Sequence, residues 1–362
     1  MAKIRTVLGD IAPEEMGITL THEHIRYAYN GYQNDHRQVW SVDGLASEIA
    51  PAVKSGRDDF GITAMVDMTP PEIGRHPELL AEAEAIFSGW GAPRMDAEFL
   101  AAAPRLHTVF YGAGSVKGVV TDAFWERGLA IASAYAANAV PVAEYALAQI
   151  LFSLKLGWRF ARETRALGKY PPRNEVPGAL GTTVGLVSLG MIGGMVARHL
   201  QAFDLKVLAY DPCCTAERAR ELRVELVSLD ELFARGQVVS VHTPWLKETE
   251  GLLRGQHFAA LPRDATFINT SRGAVVCEPE MLAVLQQRPD LQAVLDVTYP
   301  EPPVAGSPLY SLPNVILTPH IAGSMNRECA RMGQYMLDEL ARHQAGEPLR
   351  WQISREAAAR MA

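Results

Sequence analysis

From about residue 60 onward the hydrophobic pattern alternates between two kinds of stretch. Short apolar runs rich in β-branched residues are followed by Ala-, Leu-, Glu- and Arg-rich segments with helical period. The clearest runs are Thr183–Leu189, Lys206–Tyr210, Val238–Val241, Ala265–Asn269, Gln292–Val297 and Asn314–Leu317. Their near-continuous apolar character suits strands covered on both faces. Strand and helix in alternation predict βαβ units, and hence an α/β fold with a Rossmann-type doubly wound parallel sheet. The most apolar long stretch, Asn138 to Trp158, carries Pro141, Glu144, Gln149 and Lys155, so it predicts a buried core helix and not a membrane span. A Pro/Gly-rich connector, Tyr170 to Gly181, ends that long helix ahead of the first clear strand. The last twenty residues predict an amphipathic helix with a frayed end. The opening is of another flavour. GITLTHEHI and GITAMVDMTPPEIGRHPELL each predict a strand followed by a loop carrying His, Asp, Thr or Pro.

Composition narrows the picture without overturning it. A chain of 362 residues is long for one domain and predicts two. With 48% hydrophobic and 21% charged residues it is neither disordered nor membrane-embedded in character. A net charge of −7 argues against nucleic-acid or acidic-membrane partners. The four cysteines, Cys213, Cys214, Cys277 and Cys329, show no C-x-x-C spacing, and the adjacent pair makes a poor zinc clamp. With no basic-then-apolar leader at the start, the expectation is a reducing, cytoplasmic setting and no thiolate metal site.

One segment carries phosphate-binding chemistry. TVGLVSLGMIGGMVARHL, from Thr183 to Leu200, is an apolar strand, a glycine-rich turn and a helix. Set against G-x-G-x-x-G it offers Ser188, Gly190 and Gly193, with serine in place of the first glycine. Gly190 would let the backbone approach a pyrophosphate, and Gly193 would let the helix pack close to the strand. The helix N-terminus around Met191 and Ile192 presents unpaired N–H groups to the phosphates. The next strand, KVLAYDP, ends at Asp211, about 20 residues beyond the glycines, where a ribose-binding acid belongs. A carboxylate there binds both ribose hydroxyls and repels a 2′-phosphate, which favours NAD over NADP. The competing reading is a glycine turn used only for packing.

Three further side chains follow strands directly: Arg272 after ATFINTS, Glu301 after LQAVLDVT and His320 after NVILTP. In an open parallel sheet the carboxyl ends of the strands line one crevice. Reducing a 2-oxo acid needs a hydride donor, a proton donor for the forming alkoxide and a fixed cation for the carboxylate. Imidazole suits the proton, a neighbouring carboxylate orients it, and a guanidinium fork matches the substrate carboxylate. Each residue alone also has a structural reading, as a helix cap, a solvated loop charge or a turn histidine. Their coincidence beside a dinucleotide turn favours the functional one.

From about Gly89 onward the chain resembles the D-isomer-specific 2-hydroxyacid dehydrogenases. The matching segments are GWGAPRMD, YGAGSVKGVV, ANAVPVAEYALA, VGLVSLGMIG, VLAYDP, VSVHTP, INTSRGAVV, VLDVTYPEPP and LTPHIAG, in family order. The resemblance implies that Arg272 anchors substrate, that Glu301 pairs with His320, and that His320 is the acid/base. It implies backbone N–H groups of Ser115 and Val116 on the substrate carboxylate. Thr243, Pro244, Thr270, Asp296 and Gly323 would line the cofactor. It further implies an NAD-binding domain over residues 116–322 and a smaller, flavodoxin-like substrate domain. That substrate domain would combine residues 1–115 with C-terminal helices at 323–362, in a homodimer with the helix near Asn138–Leu156 contributing.

Residues 1–85 resemble instead the opening of phosphotriesterase-related metal hydrolases, where H-x-H binds a divalent metal. Strand alternation would point His22 and His24 to one face. The remaining ligands of such a site are missing, and a (β/α)₈ barrel needs about 250 residues. The expectation is therefore a fusion in which these residues supply two βα units and hold no metal. Two other functions stay open, a non-catalytic NAD(H) sensor or impaired fusion, and a metal-dependent hydrolase built on His22 and His24.

Overall fold

The computed structural model describes residues 81, 83–173 and 175–361, together with the backbone of four short strands before them. The chain forms two compact units, Met1–Ala137 with Ala330–Ala359, and Asn138–Cys329 with Arg360–Ala362.

In the first unit, β1 (Ile4–Thr6) and β2 (Gly9–Ile11) pair antiparallel. The strands β3 (Ile18–Thr21) and β4 (Ile62–Val66), at the positions expected from the two opening segments, pair in parallel. A second parallel group joins β5 (Ala85–Ser88), β6 (Thr108–Tyr111) and β7 (Ala130–Ser133). β3 also lies near β5, though the two parallel groups remain separate sheets. The boundary expected after Ser115 falls before β7. That strand, AIAS, is made of small residues without a β-branched run, yet it pairs with β6 and keeps residues up to Ala137 in this unit. The return into this unit likewise comes at Ala330 and not at Gly323.

The second unit holds seven strands: β8 (Thr183–Val187), β9 (Lys206–Tyr210), β10 (Glu225–Leu226), β11 (Val238–Val241), β12 (Thr266–Asn269), β13 (Gln292–Leu295) and β14 (Val315–Leu317). All pair in parallel, in the order β10-β9-β8-β11-β12-β13-β14. The direction of winding reverses between β8 and β11, the point where such sheets open a crevice. Alternate residues enter two separate cores, as buried strands require. Val184, Leu186, Val238, Ile268 and Val294 pack into one, and Val187, Val239, Phe267, Ala293 and Leu295 into the other.

Helix α1 (Tyr135–Leu154) is long and apolar enough, by length and composition, to cross a membrane. Its Ala143, Ala146, Ile150 and Leu154 are instead buried against the sheet of the second unit. The single helix expected through Trp158 is broken, because Leu156 adopts φ 51° and a second helix starts at Gly157. A Cβ on Gly157 would lie 2.5 Å from the Phe152 ring, so the glycine lets that ring pack directly over the turn.

Candidate active site

The glycine-rich turn links β8 to α2 (Met191–Leu200). Gly190 is the N-cap and offers no side chain to the first-turn N–H groups of Met191, Ile192 and Gly193. A Cβ on Gly190 would meet nothing within 4 Å, so the turn opens outward there. A Cβ on Gly193 would lie 2.1 Å from the Ser188 carbonyl oxygen, which makes that glycine a packing requirement. Ser188 adopts φ 75°, a left-handed conformation that glycine takes more cheaply. Its neighbours hold it there: its N–H donates to Tyr210 O (2.8 Å), and its Oγ lies 2.9 Å from Thr243 Oγ1. Asp211, just past β9, is fixed at both oxygens. Oδ2 accepts from Leu189 N–H (2.7 Å) and Oδ1 from Cys213 N–H (2.8 Å), which leaves each oxygen a further lone pair.

Beneath this turn His242 lies against Gly193, and burial pushes its pKa down to about 4, so the imidazole is neutral. Thr243 is buried with its hydroxyl engaged by Ser188, and Pro244 follows it half-buried. Thr270 differs from Thr243: its buried hydroxyl has no partner among the described residues. The uncapped amides, the open space at Gly190 and this orphaned hydroxyl all fit a dinucleotide.

Arg272, Glu301 and His320 come together at the carboxyl ends of β12, β13 and β14. His320 Nδ1 lies 2.6 Å from Glu301 Oε1, with both side chains still substantially exposed. Arg272 precedes the tight turn Gly273–Val275, and its Nη1 donates to Ser271 O (2.7 Å). Burial lowers the Arg272 pKa, while the charge of Glu301 acts in the opposite direction. A guanidinium shifted from so high a value remains charged.

Asp296 stands apart from the other residues read from sequence. It is 2% exposed, and its carboxylate is spent on the His320 loop. Oδ1 accepts from Thr318 Oγ1 (2.6 Å) and Ile321 N–H (2.9 Å), and Oδ2 from Ala322 N–H (2.8 Å). Tyr145 Oη, on α1, lies 2.9 Å from Thr318 Oγ1 and extends the network. His320 itself adopts φ 55°, and its N–H donates to Asp296 O (3.0 Å). Thr318 and Tyr145 were not singled out in the sequence; the Thr-Pro-His run was the available signal for the first. Gly323 sits close to Asn138, whose Oδ1 accepts from Ser324 N–H (2.8 Å).

Ser115 and Val116 lie in the other unit, in the loop after β6. Ser133 Oγ, at the end of β7, donates to Ala113 O (2.9 Å) and Gly114 O (2.6 Å) and so shapes that loop. The N–H groups of Ser115 and Val116 donate to no acceptor among the described residues. His22 and His24 lie outside the described residues.

Comparison with known proteins bears on this arrangement. The sequence model for the NAD binding domain of D-isomer specific 2-hydroxyacid dehydrogenases matches residues 148–322. The chain is also 34% identical over 252 residues to (S)-sulfolactate dehydrogenase of Chromohalobacter salexigens, covering 69% of this chain and 81% of that protein. The chain belongs to the D-isomer-specific 2-hydroxyacid dehydrogenase family. Within the family it is 32% identical over 258 residues to D-3-phosphoglycerate dehydrogenase of Archaeoglobus fulgidus, covering 71% of this chain and 49% of that protein. It thus spans about half the length of the phosphoglycerate dehydrogenases it matches. Its fold resembles the crystal structure of the TT0316 protein from Thermus thermophilus, with TM-score 0.66, 26% identity and coverage of 93% of this chain and 99% of that one. These matches give no support to the hydrolase-like reading of the opening.

Proposed function

We propose that this dehydrogenase-family protein transfers a hydride between nicotinamide and C2 of a 2-oxo or 2-hydroxy acid, with NAD as cofactor. The observation that carries the reading is the 2.6 Å contact between His320 and Glu301, beside the partly buried cation Arg272. NAD, when bound, supplies or accepts the hydride. The protein does the rest. His320 holds a proton on Nε2 for the alkoxide forming at C2, and takes it back in the reverse direction. Glu301, hydrogen-bonded at Nδ1, sets the ring orientation. Arg272 grips the substrate carboxylate as a planar fork. Ser188, Gly190, Met191, Ile192 and Gly193 form the pyrophosphate cradle. Asp211 binds the adenosine ribose, and Thr243, Pro244, Thr270, Asp296 and Gly323 lie toward the nicotinamide. Of these, Thr270 has the hydroxyl left to bond the cofactor, whereas Asp296 acts by holding the His320 loop.

We further infer a cytoplasmic homodimer. Four unpaired cysteines support the compartment, and the family resemblance supports the assembly. The sensor reading is less well supported, because a sensor has no need of an oriented His–Glu pair next to a partly buried cation. The deciding experiment is NADH oxidation over a panel of 2-oxo acids, from glyoxylate and hydroxypyruvate to branched and aromatic members. Turnover with at least one is expected. Binding of NADH without any turnover would replace the enzyme with the sensor.

A further inference from the structure

We propose that Cys213 and Cys214 form a modification site, which a hydroperoxide closes into a reversible vicinal disulfide that withdraws Asp211 from the cofactor. The inference rests on the ribose-binding role given to Asp211 above.

The two cysteines occupy the turn that directly follows Asp211. Cys214 N–H donates to Asp211 O (3.2 Å), which closes a four-residue turn through Pro212 and Cys213. Cys213 N–H donates to Asp211 Oδ1 (2.8 Å), one of the two bonds that aim the carboxylate. The turn is anchored at both ends. Pro212 has a fixed φ, and Thr215 caps the helix Ala216–Leu222 by accepting Arg218 N–H (3.1 Å). Both cysteines are free thiols, Cys213 exposed and Cys214 half-buried.

Neighbouring Cα atoms stand about 3.8 Å apart, whereas bridged cysteines usually keep theirs at about 4.4–6.8 Å. A bond between adjacent sulfurs therefore closes a small ring and twists the peptide link inside it. That link carries the Cys214 N–H. With both flanks held, the twist falls on the turn, so the bonds to Asp211 O and Oδ1 cannot both survive. The carboxylate is then left on the bond from Leu189 N–H to Oδ2 (2.7 Å), free to swing away from the ribose. The same strain makes the disulfide easily reduced, as a reversible mark in a reducing compartment requires.

The exposed Cys213 reacts first. Its sulfur attacks one peroxide oxygen, the O–O bond breaks, and the leaving alkoxide takes up the thiol proton, which leaves a sulfenic acid. Cys214 Sγ then attacks Cys213 Sγ, and the expelled hydroxide departs as water with the Cys214 proton. Two thiols are oxidised to a disulfide while the hydroperoxide is reduced to an alcohol and water. Burial and then the charge of Asp211 raise the Cys214 pKa, and Arg218 lowers it, which suits Cys214 to the second step.

The test treats the protein with hydrogen peroxide, removes the excess and measures NADH Kd by fluorescence. Mass spectrometry follows the tryptic peptide 207–218, which carries both cysteines. The peptide should become lighter by two hydrogens and NADH Kd should rise about tenfold or more, the scale of losing a hydrogen bond to a charged group. Dithiothreitol should reverse both. Cys214→Ser should stop at the sulfenic acid, trapped by dimedone, and Cys213→Ser should form no disulfide. In each, peroxide should move NADH Kd less than about twofold, and either serves if the other fails to fold. The double variant Cys277→Ser/Cys329→Ser should respond like wild type. An unaltered peptide, a disulfide that leaves NADH Kd unmoved, or a tenfold rise that persists in either single variant would overturn the inference and leave the dehydrogenase intact. Untreated protein that binds no NADH would overturn both.

Discussion

The two loops that matter most for chemistry in the second unit bend in the same way for opposite reasons. After β8 the chain turns through a left-handed residue at Ser188, and after β14 it does so again at His320. Neither is glycine, so both store strain that neighbouring contacts must offset. At Ser188 the side chain is incidental. Its hydroxyl meets Thr243, but the turn depends on Gly193 lying against the Ser188 carbonyl. At His320 the side chain is the purpose. Three hydrogen bonds to the buried Asp296 carboxylate hold the loop, while the imidazole stays exposed against Glu301. One loop is shaped by what it lacks, the other by what it must present.

That contrast breaks most sharply at His320. Replacing it by Asn should cut turnover by about two to four orders of magnitude while leaving NADH Kd unchanged, as measured by NADH fluorescence titration. Wild-type turnover in this variant would remove the acid/base role. Asp296→Asn comes next in size. An amide –NH₂ would face N–H donors, and a buried network that loses acceptors costs about 1–3 kcal/mol. Urea unfolding should show that loss, and turnover should fall through the displaced His320. Full stability with full activity would mean that the loop holds itself. The smallest effect is expected at Ser188→Gly. Relief of left-handed strain and loss of one hydroxyl contact nearly cancel, so stability should change by less than about 1 kcal/mol. A large loss of NADH affinity there would show that the hydroxyl, and not the backbone, makes the turn.

The same contrast explains what could be read from the sequence. The glycine turn and its Asp211 are local and were legible, since strand, glycines and helix follow one another within a few residues. Arg272, Glu301 and His320 were legible as a set, because each follows a clear apolar strand and parallel strands bring their ends together. The work of Asp296 was not. Its donors lie more than twenty residues on, and Tyr145 reaches the same network from α1, 173 positions from Thr318. Pairing between distant segments leaves no periodic trace. The boundary at Ala137 was missed for a related reason, since β7 is a strand by virtue of its neighbour β6 and not of its own residues. The helix break at Leu156 was hidden because Gly157 reads as tolerable within an apolar run until the Phe152 ring is seen against it.

Direct hydride transfer to C2 at the His320–Glu301 rim is what separates an enzyme from a sensor. The most direct measurement uses NADH doubly deuterated at C4 with the best 2-oxo acid from the panel, and reads the label in the 2-hydroxy product by NMR. One deuterium at C2, with the solvent-derived proton on the hydroxyl, is the result predicted. A product carrying no deuterium at C2, or NADH consumed without a 2-hydroxy acid appearing, would contradict it.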